Sequence, residues 1–197
     1  MKNWQLLFDH VSKVMKEKLP AHLTYHHPEH TYYVMKTAEL IAREEKVSEE
    51  DILLLKTAAL YHDIGFIKGA LEHEGESMRM AASELPGFGY SPEEIKIILG
   101  LIDATTIPQK PKTKLQKILA DADLEYLGTD NFKIIGDTLL KELMHYNPEL
   151  TREKWNFMQI AFLQKHHYHT EYCLKNRKPK KDLNLKQLIK ETGKKEK

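Results

Sequence analysis

The sequence is short of cysteine, of long apolar runs and of net charge, and each shortage removes a class of protein. One cysteine, Cys173, allows neither an intrachain disulfide nor a cysteine-built zinc site. No apolar stretch is long enough to span a bilayer, and the opening MKNWQLLFDHVSKVMKEK breaks its apolar residues with polar ones too often for a signal peptide. A protein of the reducing cytoplasm, with no membrane association, is the expectation. The formal net charge is only +1, so no global attraction to nucleic acid is indicated. No strand-like alternation, internal repeat or glycine-rich phosphate loop stands out.

What is present is helical periodicity in 197 residues that are 41% hydrophobic, enough for one compact domain with a real core. Trp4, Leu7, Phe8, Val11, Val14 and Met15 mark a first amphipathic helix that Pro20 ends. Pro28 suits the first position of a second helix, because a residue there needs no backbone N–H. Ser48 and Asp51 open a third, from Ile52 to about His62, apolar around most of its circumference and therefore expected to be central, with Gly65 placed to stop it. Further helices are expected from about Glu72 to Leu85, from Ser91 to about Thr105, from Thr113 to about Leu127, from Phe132 to His145 and from Arg152 to about Tyr168. The class is all-α. Residues 1–175 are expected to form a single bundle. Residues 176–197 are expected to form a basic, partly mobile tail rich in lysine (Lys178, Lys180, Lys181, Lys186, Lys190, Lys194, Lys195 and Lys197), with Leu183 to Ile189 as a short docking helix.

Three helix boundaries carry groups that suit a divalent ion. His26 and His30 are four residues apart at the start of the second helix, and His62 and Asp63 end the most apolar one. Asp121 and Asp123 interrupt the run Ile118-Leu119-Ala120 and Leu124, Tyr126, Leu127. Each such group costs several kcal/mol beside a core if left unpaired, and one shared cation would offset that cost. The histidines His166, His167 and His169 lie among aromatics and are read as packing residues, and Cys173 as inert.

The segments YHHPEHTYYV, LLLKTAALYHDIGF and ILADADLEYLG, in that order, resemble the three signature segments of the HD-domain metal-dependent phosphohydrolase superfamily, and KWNFMQIAFLQKHHYHT resembles the closing helix of its small bacterial members. The resemblance implies a helical bundle with a central buried His-Asp helix. It also implies a divalent ion (Mn²⁺, Fe²⁺, Co²⁺ or Ni²⁺) held by His30, His62, Asp63 and Asp121, with Asp63 at the reacting centre. Asp121 is preferred to Asp123 because family segments read Ala-Asp followed by an apolar helix, which leaves Asp123 and Glu125 to orient ligands or water. The segment Tyr25-His26-His27-Pro28-Glu29-His30 resembles a phosphodiesterase segment whose first histidine protonates the leaving oxygen, so His26 is the candidate general acid, with His27 beside it as the alternative. His73 is a candidate contact for substrate or for a second, weaker ion, and Lys68 and Arg79 are candidate phosphate contacts. The implied activity is hydrolysis of a phosphoester of a small molecule, a nucleotide monophosphate or cyclic nucleotide, through a metal-activated water. The alternatives are a non-catalytic HD module that binds a nucleotide or partner, and a dinuclear-iron HD oxygenase. The apolar helices permit an oligomer without requiring one.

Overall fold

In the computed structural model, which describes residues 2–193, the described chain is helical and contains no strand. Ten α-helices follow one another: α1 (Trp4–Lys18), α2 (Pro28–Glu44), α3 (Glu49–Tyr61), α4 (His73–Glu84), α5 (Pro92–Asp103), α6 (Lys114–Asp123), α7 (Phe132–Tyr146), α8 (Arg152–Lys165), α9 (Glu171–Asn176) and α10 (Lys178–Gly193). Short 3₁₀ turns follow α3, α4 and α6, at Ile64–Ile67, Leu85–Phe88 and Glu125–Gly128. Among the described residues no helix is long and apolar enough to cross a membrane.

Helix α3 is central, as its all-round apolarity predicts. Leu55, Ala58, Ala59, Leu60 and Tyr61 have no solvent exposure, and the helix packs against α1, α2, α4, α5 and α6. Its start is fixed by the Ser48 side chain, which accepts from the Asp51 N–H, and the start of α5 by a reciprocal Ser91–Glu94 capping box. Gly65 does not serve as the stop signal expected of it. It lies inside the Ile64–Ile67 turn, pressed against α4: a Cβ there would sit 1.9 Å from the His73 carbonyl oxygen.

Two helices end earlier than periodicity suggests. Helix α6 stops at Asp123, and Glu125–Gly128 tightens into a 3₁₀ turn. Helix α8 stops at Lys165, and the chain turns extended at His166 until Thr170 caps α9 by accepting from the Cys173 N–H. The lysine-rich stretch after residue 176 is one helix from Lys178 to Gly193, packed on α8 and on the Glu125–Gly128 turn, and it includes the segment Leu183 to Ile189. Lys181 on this helix is buried and donates to the carbonyls of Leu163 and His166 at the end of α8, where a cation suits the helix dipole. Lys194, Lys195 and Lys197 lie outside the described residues.

Candidate metal centre

The start of α2, the end of α3 and the end of α6 converge. His30 Nε2 lies 3.4 Å from Asp63 Oδ2 and 3.3 Å from Asp123 Oδ1, and His62 Nε2 lies 3.0 and 3.6 Å from the same two oxygens. His30, His62 and Asp63 are buried and Asp123 is nearly so. Yet His30 Nε2, His62 Nε2 and Asp63 Oδ2 make no hydrogen bond. Ligand atoms each about 2.0–2.2 Å from a common ion stand roughly 3.0–3.5 Å apart, so this spacing fits a shared divalent cation. The His62 ring is also oriented for the task. Its Nδ1–H donates to the Ala59 carbonyl at 2.8 Å, which leaves Nε2 as the lone-pair nitrogen facing the carboxylates.

Electrostatics point the same way. Burial opposes protonation of His30 and His62, but Asp63 and Asp123 outweigh it and hold both imidazoles above their ordinary pKa. Burial likewise opposes ionisation of Asp123, but His30 and His62 bring its pKa down to about 2. Two carboxylates thus create a potential that calls for positive charge at the two imidazoles, and a divalent ion provides it in place of protons.

Asp121 does not join this cluster. Its carboxylate is fully buried and turned toward α9, where it accepts from the backbone N–H of His169 (2.9 Å), the backbone N–H of Thr170 (2.8 Å) and the Thr170 hydroxyl (2.7 Å). Residues two apart on a helix point about 200° away from each other, so only one of Asp121 and Asp123 can face the histidines. That one is Asp123, which corrects the ligand set read from the sequence.

His26 and His27 are also separated. The His27 ring caps α2, its Nδ1 accepting from the Glu29 N–H at 3.1 Å. His26 faces the cluster, and its Nδ1–H donates to Glu142 Oε1 at 2.5 Å. The second Glu142 oxygen accepts from the backbone N–H groups of Tyr25 (2.8 Å) and His26 (3.0 Å). Sequence reasoning missed Glu142; the signal was a lone carboxylate between Leu139, Leu140 and Leu143 on α7. Phe66 stacks between His26 and His73, with centroids 4.1 and 4.0 Å away, and His73 Nε2 comes within 3.5 Å of Asp63 Oδ1. His73 therefore sits at the rim of the centre.

Three other expected contacts are placed elsewhere. Glu125 accepts from the Tyr33 hydroxyl and from Arg177 Nε, an arrangement that ties α9 and α10 to α2. Lys68 is exposed, and Arg79 is exposed and paired with Glu76 at 2.6 Å. The long flexible side chains of Lys68 and Arg79 are drawn to water and to a carboxylate on the outer face of α4.

The centre opens into a chamber of about 280 Å³ between α6, α7 and α8. His26, Asp63, His73 and Asp123 stand at one end, and Phe132, Trp155 and Phe162 are among its walls.

Residues 29–125 match the family model described as "HD domain". The chain is similar to the crystal structure of a predicted HD superfamily hydrolase from an uncultured Thermotogales bacterium. The identity is 22% over 80% of this chain and 89% of that one, with a TM-score of 0.53, and this likeness concerns the fold. None of the functionally curated proteins compared with the chain matches it.

Proposed function

Because residues 29–125 form a domain of the HD family, we propose that the protein is a metal-dependent phosphohydrolase acting on a phosphoester of a small molecule, with His30, His62, Asp63 and Asp123 holding the divalent ion. The observation that carries this reading is the set of buried atoms without a hydrogen bond, His30 Nε2, His62 Nε2 and Asp63 Oδ2, facing Asp123. A divalent ion bound there supplies an acidified water and neutralises charge on a phosphoryl oxygen.

In the net reaction water provides the new oxygen on phosphorus, the phosphorus–oxygen bond to the alcohol breaks, and the alcohol leaves protonated. His26 is the general acid. Its Nδ1 is committed to Glu142, so Nε2 is the atom left to hand a proton to the leaving oxygen. Burial raises the Glu142 pKa, but His26 and the two backbone N–H groups outweigh it, so the carboxylate stays ionised and orients the ring. Phe66 restrains the His26 ring by stacking and keeps water from one face of it. His73, beside Asp63, is the contact for substrate or a second, weaker ion. A nucleotide monophosphate or cyclic nucleotide remains one class within this reading, and the chamber walls bear on that choice.

The test is elemental analysis of the purified protein beside His30→Ala and Asp123→Asn variants, followed by phosphoester assays with Mn²⁺, Fe²⁺, Co²⁺ or Ni²⁺ added. About one equivalent of metal, lost in both variants, together with metal-dependent release of phosphate or of a monoester, is the expected result. Metal bound without turnover of any ester would favour a binding module. Two irons with oxygen consumption would favour an oxygenase.

A further inference from the structure

The walls of the chamber differ in character from the centre it opens on. Away from the cluster they are carbon-rich: Leu127 from the turn after α6, Phe132 and Leu139 from α7, and Trp155, Met158 and Phe162 from α8. Among the described residues no lysine or arginine lines the chamber; its titratable groups are the carboxylates Asp63, Glu74 and Asp123 and the imidazoles His26 and His73 beside the cluster. A phosphate away from the ion and the two imidazoles would be buried unpaired against apolar walls. Of its uncharged polar side chains, Tyr25, Thr105, Tyr126, Gln159 and Trp155, the Thr105 hydroxyl is taken by the Ile102 carbonyl, whereas the indole Nε1 of Trp155, a residue 5% exposed, has no hydrogen-bond partner. The volume of about 280 Å³ is near the lower limit of small-molecule sites, ~300 Å³.

We propose that this chamber receives the organic part of the substrate, and that the substrate is the phosphate ester of an apolar alcohol, aryl or medium-chain alkyl, with at most one or two neutral acceptors facing Trp155 and Gln159. The proposal rests on the phosphohydrolase reading and adds specificity to it. Polyphosphates and polyol phosphates are disfavoured by the absence of lysine and arginine from the lining and by the scarcity of free polar partners away from the cluster. A nucleoside, with a ribose diol and several base-edge groups, would leave most of them unpaired. The chamber is continuous with the metal-ligand cluster and with His26, so an ester phosphate at the ion puts its alcohol among these walls.

Two measurements separate failure of this proposal from failure of the function beneath it. The first is kcat/KM of the metal-loaded protein on methyl, butyl, hexyl and octyl phosphates, 1-naphthyl phosphate, glycerol phosphate, AMP and ATP. Each added methylene should raise kcat/KM roughly 3-fold until the chamber fills, and naphthyl phosphate should exceed AMP and glycerol phosphate by about 10-fold or more. Met158→Glu, at a half-exposed wall position, should flatten the chain-length series. The second needs no catalysis. Trp4 and Trp155 are the only tryptophans, so in a Trp4→Phe variant the fluorescence of Trp155 reports on the chamber alone. Octanol should shift it saturably and glycerol should not. Turnover that is flat with chain length, or that favours AMP, ATP or glycerol phosphate, overturns the proposal, as does an unresponsive Trp155. Saturable octanol binding without hydrolysis of any ester overturns the phosphohydrolase reading and leaves the chamber as a site for an apolar ligand.

Discussion

Glu142 and His26 lie 116 residues apart in sequence and share a hydrogen bond of 2.5 Å. Glu142 is 2% exposed, and its other oxygen takes two backbone N–H groups of the loop that carries His26. One carboxylate of α7 therefore fixes both the backbone and the ring of the proposed acid, while touching none of the proposed metal ligands. Glu142→Gln keeps the shape and removes the charge. The expected result is a fall in kcat of about 10- to 100-fold, with KM and metal content close to wild type and a displaced alkaline limb of the pH–rate profile, the limb on which a general acid is lost. Parallel loss of metal, or a rise in KM with kcat retained, would show that Glu142 only supports the fold.

Asp121 and Asp123 divide two tasks. Asp123 faces His30 and His62, whereas Asp121 anchors the chain entering α9. Asp123→Asn is expected to lose the ion and keep the fold. Asp121→Asn should keep the ion and lose about 1–3 kcal/mol of stability, because the new amide N–H₂ confronts donors it cannot pair with. Metal analysis beside urea unfolding of both variants checks this, and the reverse pattern would restore Asp121 as the ligand.

How far this was legible follows from the same two residues. Helix periodicity and capping located the helices and brought His30, His62 and Asp63 to element boundaries, since those signals are local. The sequence preferred Asp121 to Asp123 on a resemblance of segments, although two aspartates spaced by two on a helix cannot both face the histidines. Which one depends on where the segment His166–His169 passes, and that depends on α8 stopping at Lys165. The local sign of the stop was Thr170 followed by Glu171, a helix start inside a run that otherwise reads as continuous helix. The pairing of Glu142 with His26, the chamber between α6, α7 and α8, and the turning-out of Lys68 and Arg79 arise from contacts between distant elements. Periodicity carries no record of these.

Gly65 is required by packing. With the His73 carbonyl oxygen 1.9 Å and the Ser77 nitrogen 2.8 Å from where its Cβ would be, and its own N–H donating to Ser77 Oγ at 2.9 Å, the turn after Asp63 is seated directly on α4. Gly65→Ala must push the two apart. It is expected to cost about 3 kcal/mol of stability and, by displacing His73 and Phe66, to lower activity even below the melting transition. Thermal unfolding and activity at low temperature test the two effects separately, and an alanine tolerated in both would contradict the close approach.

The acid side of the stability profile should bear the mark of His166. Its ring is 9% exposed, stacks near Phe162 and leaves Nε2 without a partner. Burial disfavours its charged form, and Lys181 from α10, with His169 and His167 from its own segment, adds to this. Asp123 opposes them, and the pKa falls to about 3. The folded imidazole thus stays neutral where the unfolded one takes up a proton. Its contribution to stability is complete above the unfolded pKa of about 6.5 and is lost as pH falls from there toward about 3, at about 1.4 kcal/mol per pH unit. His166→Phe keeps the ring and removes the titration. Relative to its own stability near pH 7, the variant should therefore lose about 2 kcal/mol less than wild type on going to about pH 5. Urea unfolding of both proteins at the two pH values measures this. Using the difference between them cancels the opposite-signed contributions of His30, His62 and His73, whose folded pKa values are raised. Equal losses in the two proteins would mean that water or a rearranged Lys181 accommodates the charge.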